Sequence, residues 1–218
     1  MQLVQSICTY AIVPVNESTT AKTRLARVLT KKERGILSQA MLSDVLDALR
    51  TTEEIDRILV VTRDIAAVRS EAREGVLVLP EGRNRGLNPA VRKGIKFAER
   101  EGANQILIVP ADVPLARASD FKRILKIGRT TKAVIVPSYD LGGTNALLLR
   151  PLRIIPISYG RDSFRQHCKL ARDRNVKIRI LKLQSLGLDA DTPSDLVRIR
   201  SAPGNTRTQR FLRKRFSD

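Results

Sequence analysis

Residues 106–115 read ILIVPADVPL. Four branched aliphatic residues, Ile106 to Val109, have the make-up of a buried strand, and a carboxylate, Asp112, follows at once between Pro110 and Pro114. An unpaired carboxylate is costly to bury, so Asp112 belongs either at a surface or beside a cation. On either side of this stretch, strand-like and helix-like segments alternate. Upstream, 8–15, 56–62 and 76–80 read as strands and 30–50, 64–73 and 88–101 as helices. Thr30 and Glu33 have the spacing of a capping box, and Leu37, Met41, Val45 and Leu49 recur on one helical face. Asn88 is the expected N-cap of its helix, with Pro89 at the first helical position. Downstream, 119–127 reads as a short helix, 132–138 as a strand, 142–151 as a strand opened by two glycines, 161–174 as a helix and 176–183 as a half-exposed strand. The βαβαβαβ order predicts an α/β fold with a mostly parallel central sheet and helices on both faces. Ligands of such sheets bind outside the carboxyl ends of the strands, and Asp112 lies just past one of those ends. One domain is expected over residues 1 to about 200.

Composition narrows the class. Hydrophobic residues make up 42% of the 218, enough for a core, but aromatics are 4% and Trp is absent, so aliphatic side chains must build it. No apolar run approaches the roughly 20 residues of a membrane span. The first fifteen residues have neither a basic n-region nor a small-residue cleavage site, which argues against a signal peptide. Cys8 and Cys168 fit no metal-binding spacing and are expected to be reduced, buried thiols of a cytoplasmic protein. The net charge of +18 favours polyanionic ligands such as nucleic acid, nucleotides or phosphorylated metabolites. Five cations, Arg207, Arg210, Arg213, Lys214 and Arg215, crowd into 201–218. That segment follows a Pro-Gly pair and shows no strong period. A mobile or loosely docked arm is expected there, either a solvated extension or a contact for RNA or another anion.

A second acidic site lies in LGLDADTPSDL, residues 186–196. Asp189 and Asp191 are two apart, so in an extended segment both point to the same side. Thr192 reads as an N-cap, with Pro193 at the first helical position and Asp195 near the third. With Asp112, three carboxylates could surround one or two hard cations, for which Mg²⁺ is suited; a solvated turn is the plainer alternative. The polar loop leaving the first strand after Pro14 and Val15 carries Lys22, Arg24 and Arg27, and such a loop can wrap nucleotide phosphates. It has neither Walker A nor dinucleotide-fingerprint spacing, and a solvated basic loop explains it equally well. Gly86 allows close backbone approach to a ligand, and Asn88, if not a cap, could read a base edge or ribose. Gly142 and Gly143 precede the small polar pair Thr144 and Asn145, while Gly160 and Ser163 stand at a helix start, an anion-friendly place. His167, the sole histidine, is expected to pack or face solvent rather than to catalyse. No Ser-His-Asp or Cys-His set can be assembled.

In order along the chain, IVPV with AKTRLA, AMLSDVLDAL, GLNPAV, VPADVPL, GGTNALLL, YGRDSF with His167, and LDADTPSDL resemble the 2-phospho-L-lactate guanylyltransferase family of coenzyme F-420 biosynthesis, over nearly all of residues 8–197. That resemblance implies a Rossmann-like nucleotidyltransferase fold and transfer of GMP from GTP to the phosphate of 2-phospho-L-lactate; related members use phosphoenolpyruvate. It implies Mg²⁺ on Asp112, Asp189 and Asp191, and the phosphorylated acid on Thr144, Gly160 and Ser163. It also implies catalytic cations at Lys22 and Arg24, nucleotide contacts from Pro14, Val15, Lys22, Gly86 and Asn88, and a homodimer. Two departures stand out. Asn16 occupies a place where many relatives carry Lys, and the basic tail lies outside the family's pattern. A transferase for another acceptor or nucleotide, and a nucleic-acid-binding protein on a degenerate transferase scaffold, are the alternatives.

Overall fold

The computed structural model describes residues 6–15, 22–71, 75–81 and 86–217. Seven strands form one sheet in the order β3-β2-β1-β4-β6-β5-β7. They are β1 (Thr9–Val15), β2 (Arg57–Thr62), β3 (Val76–Pro80), β4 (Gln105–Ile108), β5 (Ala133–Pro137), β6 (Thr144–Leu149) and β7 (Ile178–Ile180). β6 runs antiparallel to its neighbours β4 and β5, and every other pairing is parallel. The chain therefore reverses strand order between β1 and β4, the place where an open α/β sheet leaves a crevice for ligands. Because β6 is antiparallel, its first residues Thr144 and Asn145 lie at the same edge as the carboxyl ends of β1 and β4.

The five inner strands, β2, β1, β4, β6 and β5, are buried on both faces, which is why they read as aliphatic runs, whereas the edge strands β3 and β7 are partly exposed. On one face Val13, Leu107, Val134 and Leu148 pack with Val45 and Leu49 of α1 (Lys31–Arg50) and Phe121 and Ile124 of α4 (Ala118–Gly128). On the other, Ile12, Leu59, Ile108 and Leu147 pack with Val91 and Ile95 of α3 (Leu87–Arg100) and Ala171 of α5 (Ser163–Asp173). α3 approaches the sheet closely through Gly94, where an added Cβ would stand 2.8 Å from the Ile12 Cγ2. The capping box of α1 forms as expected: Thr30 accepts from the Glu33 backbone N–H and Glu33 from that of Thr30. Leu37, Met41, Val45 and Leu49 are all buried. Both cysteines are free and half-buried, and burial pushes both thiols up in pKa.

Three expectations are corrected. The helix foreseen over 64–73 is a single turn, α2 (Ile65–Val68), followed by a 3-10 turn at Arg69–Glu71. The tighter turn delivers the buried Glu71 carboxylate to the Ser43 hydroxyl at 2.7 Å and Arg50 at 3.2 Å. Asn88 is not the N-cap of α3; Gly86, at φ 90°, holds that position. The largest change is at the C-terminus. Residues 207–215 are a docked helix, α8 (Arg207–Arg215), rather than a loose arm. Leu212 is fully buried in a third apolar cluster with Leu25, Leu29, Leu37 and Met41, together with Leu196 and Ile199 of α7 (Pro193–Ser201). Asp44 of α1 accepts from the first backbone N–H groups of α8, Arg207 at 2.8 Å and Thr208 at 2.9 Å. The Gln209 amide ties α8 to the Ile199 and Ala202 carbonyls at 3.0 and 2.7 Å.

Candidate active site

Lys22 stands in the left-handed region (φ 58°, ψ 42°) just before a 3-10 turn, Thr23–Leu25. Its Nζ donates to the Asp112 Oδ2 at 2.6 Å and the Asp191 Oδ1 at 2.7 Å. The lysine side chain is 11% exposed, against 29% for Asp112 and 44% for Asp191. Burial alone would lower the Lys22 pKa; the two carboxylates outweigh it and hold the ammonium well above its ordinary value. Asp112 thus leaves the sheet at the carboxyl edge and meets a cation there. Its carbonyl accepts from the Ala190 N–H at 3.0 Å, which fixes the Asp-Ala-Asp segment against the end of β4. The helix after that segment, α7, starts as expected, with Thr192 as N-cap, Asp195 completing the capping box and Pro193 first. The Arg24 guanidinium reaches Asp191 at 3.9 Å and is otherwise largely exposed.

Asp189 is the third carboxylate. Its burial, then the like charges of Asp112 and Asp191, raise its pKa to about 6, while a hydrogen bond from Asn145 Nδ2 at 3.3 Å works in the opposite direction. Asn145 also donates to the Leu186 carbonyl at 2.8 Å, so its amide is held facing the acidic segment. Among the described residues no three acidic, His or Cys side chains close around one point as a metal cage. Instead the Lys22 ammonium lies between Asp112 and Asp191. The all-oxygen donor set, with mutual repulsion evident at Asp189, nonetheless has the chemistry of a hard divalent cation site.

A cavity of about 640 Å³ opens beside this cluster. Pro14, Val15, Lys22, Arg24, Gly86, Asp112 and Asp191 all line it, with Ser38 of α1, which the sequence did not single out, and Met41, expected only as a core residue. Asn16 lies outside the described residues. Asn88 does not line the cavity. Its side chain forms a two-pronged tie to one peptide backbone, donating from Nδ2 to the Tyr159 carbonyl at 2.8 Å and accepting at Oδ1 from the Tyr159 N–H at 2.6 Å.

Thr144 and Ser163 are brought together as expected, with their hydroxyls 3.2 Å apart, but both are buried. Gly160 is exposed next to them at φ 131°, a conformation that suits glycine. His167 links the group. Its Nδ1 lies 3.1 Å from the Thr144 Oγ1, and its Nε2 accepts from the Ser158 N–H at 3.0 Å. A backbone N–H can only donate, so the ring proton sits on Nδ1 and the ring is neutral; burial depresses its pKa to about 4. His167 therefore packs, as expected, but it is also a polar keystone of the 158–163 loop. Its i,i+4 spacing from Ser163 was the one available sequence signal.

The sheet order gives an α/β fold whose switch point, between β1 and β4, lies beside the carboxyl-edge cluster. A solved structure from Desulfovibrio desulfuricans G20, described as a nucleotide-diphospho-sugar transferase, superposes with a TM-score of 0.77 over 96% of this chain and 95% of that one, at 17% identity. A family model described as "Guanylyl transferase CofC like" matches residues 9–217, and the chain belongs to that family of enzymes. The match runs through α8, so the C-terminal segment is part of the family's pattern, contrary to expectation. A phosphoenolpyruvate guanylyltransferase of Roseiflexus castenholzii is 39% identical over 94% of this chain and 94% of its own length. A 2-phospho-L-lactate guanylyltransferase of Methanothermobacter thermautotrophicus is 35% identical over 94% of this chain and 90% of its own.

Proposed function

We propose that the protein transfers GMP from GTP to the phosphate of a small phosphorylated carboxylic acid, with release of pyrophosphate. The acceptor of first choice is 2-phospho-L-lactate, giving lactyl-2-diphospho-5'-guanosine for coenzyme F-420 synthesis; phosphoenolpyruvate and 3-phosphoglycerate are the alternatives within the same chemistry. The observation that carries this reading is the buried Lys22 ammonium, held by Asp112 and Asp191 on the wall of a cavity at the sheet's switch point. The acceptor phosphate is already a nucleophile, so no general base is required. An acceptor oxygen forms a bond to the α-phosphorus as the bond to the β-phosphate oxygen breaks, and the electron pair leaves with pyrophosphate. The obstacle is bringing two polyanions together and stabilising charge on the leaving group, which positioned cations do. Lys22 and Arg24 fill that role toward the nucleotide phosphates. Pro14, Val15 and Gly86 present backbone to the nucleotide, and Gly160 with the Thr144–Ser163 pair receives the acid.

Asp112, Asp189 and Asp191 would hold Mg²⁺, which would supply positive charge to offset that of the phosphates. A homodimer and a cytoplasmic location belong to the same reading. No helix among the described residues is long and apolar enough to cross a membrane. The test is pyrophosphate release by purified protein with Mg²⁺, using GTP or ATP with each of the three acids in turn. Release with GTP and one acid is the expected result; release with ATP alone, or from no pair by folded protein, sinks the proposal.

A further inference from the structure

The +18 charge exceeds what one nucleotide site uses, and one concave surface far from that site concentrates part of it. A cleft of about 1020 Å³ lies at the amino edge of the sheet, the end opposite Lys22 and Asp112. It is formed by the turn from α4 into β5, the loop after β6 and the turn from α5 into β7. Lys132, Arg174, Lys177 and Arg179 line it over an apolar floor that includes Ile127 and Val176, with no acidic residue among the lining. All four cations are exposed, and among the described residues none forms an ion pair.

Cations often gather at helix C-termini because they complement the free carbonyls there. Here those carbonyls have other partners. At the end of α4, the Ile127 carbonyl accepts from the Thr130 hydroxyl at 3.2 Å and the Thr131 N–H at 3.1 Å, and the Arg129 carbonyl accepts from Arg150 at 3.0 Å. At the end of α5, the Ala171 carbonyl accepts from the Val176 N–H at 2.8 Å and that of Arg172 from Asn175 at 2.9 Å. The four lining cations are thus not consumed in capping. Lys177 and Arg179 flank Ile178 at the start of the edge strand, and both are exposed.

We propose that this cleft binds the phosphate backbone of a single-stranded nucleic acid. Solvated cations gain little from an isolated anion, whereas a chain of phosphates releases condensed counterions at every contact. With Trp absent and aromatics scarce, stacking is not the means, so binding is sequence-independent and strongly salt-dependent. The docked α8 is not required.

The test is fluorescence anisotropy with a labelled oligouridine strand across a salt series. It compares the wild type, the Lys177→Glu/Arg179→Glu variant, and a control with the same charge change on α3, Lys96→Glu/Arg100→Glu. Four contacts predict a slope of log K against log salt of about −3. The cleft variant is expected to bind about tenfold or more weakly with about half that slope, and the control to bind nearly as wild type. Unchanged melting temperature and circular dichroism show that each variant is folded, independently of any transferase activity. No binding at low salt, equal loss in cleft variant and control, or displacement of the strand by low concentrations of pyrophosphate would each overturn the proposal, the last by making a small polyphosphate the ligand.

Discussion

Lys22 holds a left-handed backbone conformation that costs a non-glycine residue of order 1 kcal/mol, and the two ion pairs at its tip offset that strain. Replacing it by Ala removes the cation at the cavity wall and leaves Asp112 and Asp191 facing each other. The Lys22→Ala variant is expected to lose about 10²–10³ in kcat, read from pyrophosphate release. Asn88→Ala breaks both hydrogen bonds to Tyr159 and loosens the loop that carries Gly160. It should raise the KM for the acid several-fold and leave that for GTP nearly unchanged; the reverse split would return Asn88 to the nucleotide side. His167 gives a pH prediction. Its pKa is about 4 when folded and near 6.5 when unfolded. The unfolded chain therefore binds the extra proton between those values, and stability is full above pH 6.5 and falls as the pH drops toward 4, by at most about 3 kcal/mol. Urea unfolding at pH 7 and pH 4.5 should show that loss in the wild type and less of it in His167→Gln. Asp112 at a strand end and the Asp189–Asp191 i,i+2 pair were legible as carboxylates on one edge; the Lys22 ion pairs to Asp112 and Asp191 were not, because they span 90 and 169 residues. Asn88 and His167 were not, because their partners, Tyr159 and Thr144, lie 71 and 23 residues away.

The elements follow the same rule. α1 and α7 could be read from their own caps and faces, since Thr30–Glu33 and Thr192–Asp195 carry the signal within four residues. The inner strands were legible because burial on both faces leaves a continuous aliphatic run, and the edge strand β7 because its exposed side leaves an alternating one. α8 carries the same kind of signal, a capping box from Thr206 and Gln209; what no local pattern shows is its docking, because Asp44, which also accepts from its first N–H groups, lies 163 positions upstream and its buried apolar contribution rests largely on Leu212. Leu212→Ala should cost about 2–5 kcal/mol in chemical denaturation; a cost near zero would restore the loose-arm reading. At the α3–sheet contact, Gly94→Ala should cost about 1–3 kcal/mol through overpacking against Ile12.

At the scale of the whole molecule, the fold divides charge between two ends of one sheet. The carboxyl edge gathers three carboxylates, a buried lysine and the nucleotide-sized cavity; the amino edge holds unpaired cations. A chelator should abolish transfer and added Mg²⁺ restore it, provided the three carboxylates act as proposed. What no spacing in the sequence could specify is the acceptor, because 2-phospho-L-lactate and phosphoenolpyruvate differ only in shape and not in the charged groups a motif would match. The most direct test of the central claim follows the label from α-phosphate-labelled GTP. With one of the three acids present, label is expected in an acid–diphosphate–guanosine product, one for each pyrophosphate released, and Lys22→Ala is expected to lower both together. Label recovered as free GMP or GDP, or pyrophosphate released without a labelled acid product, would contradict it.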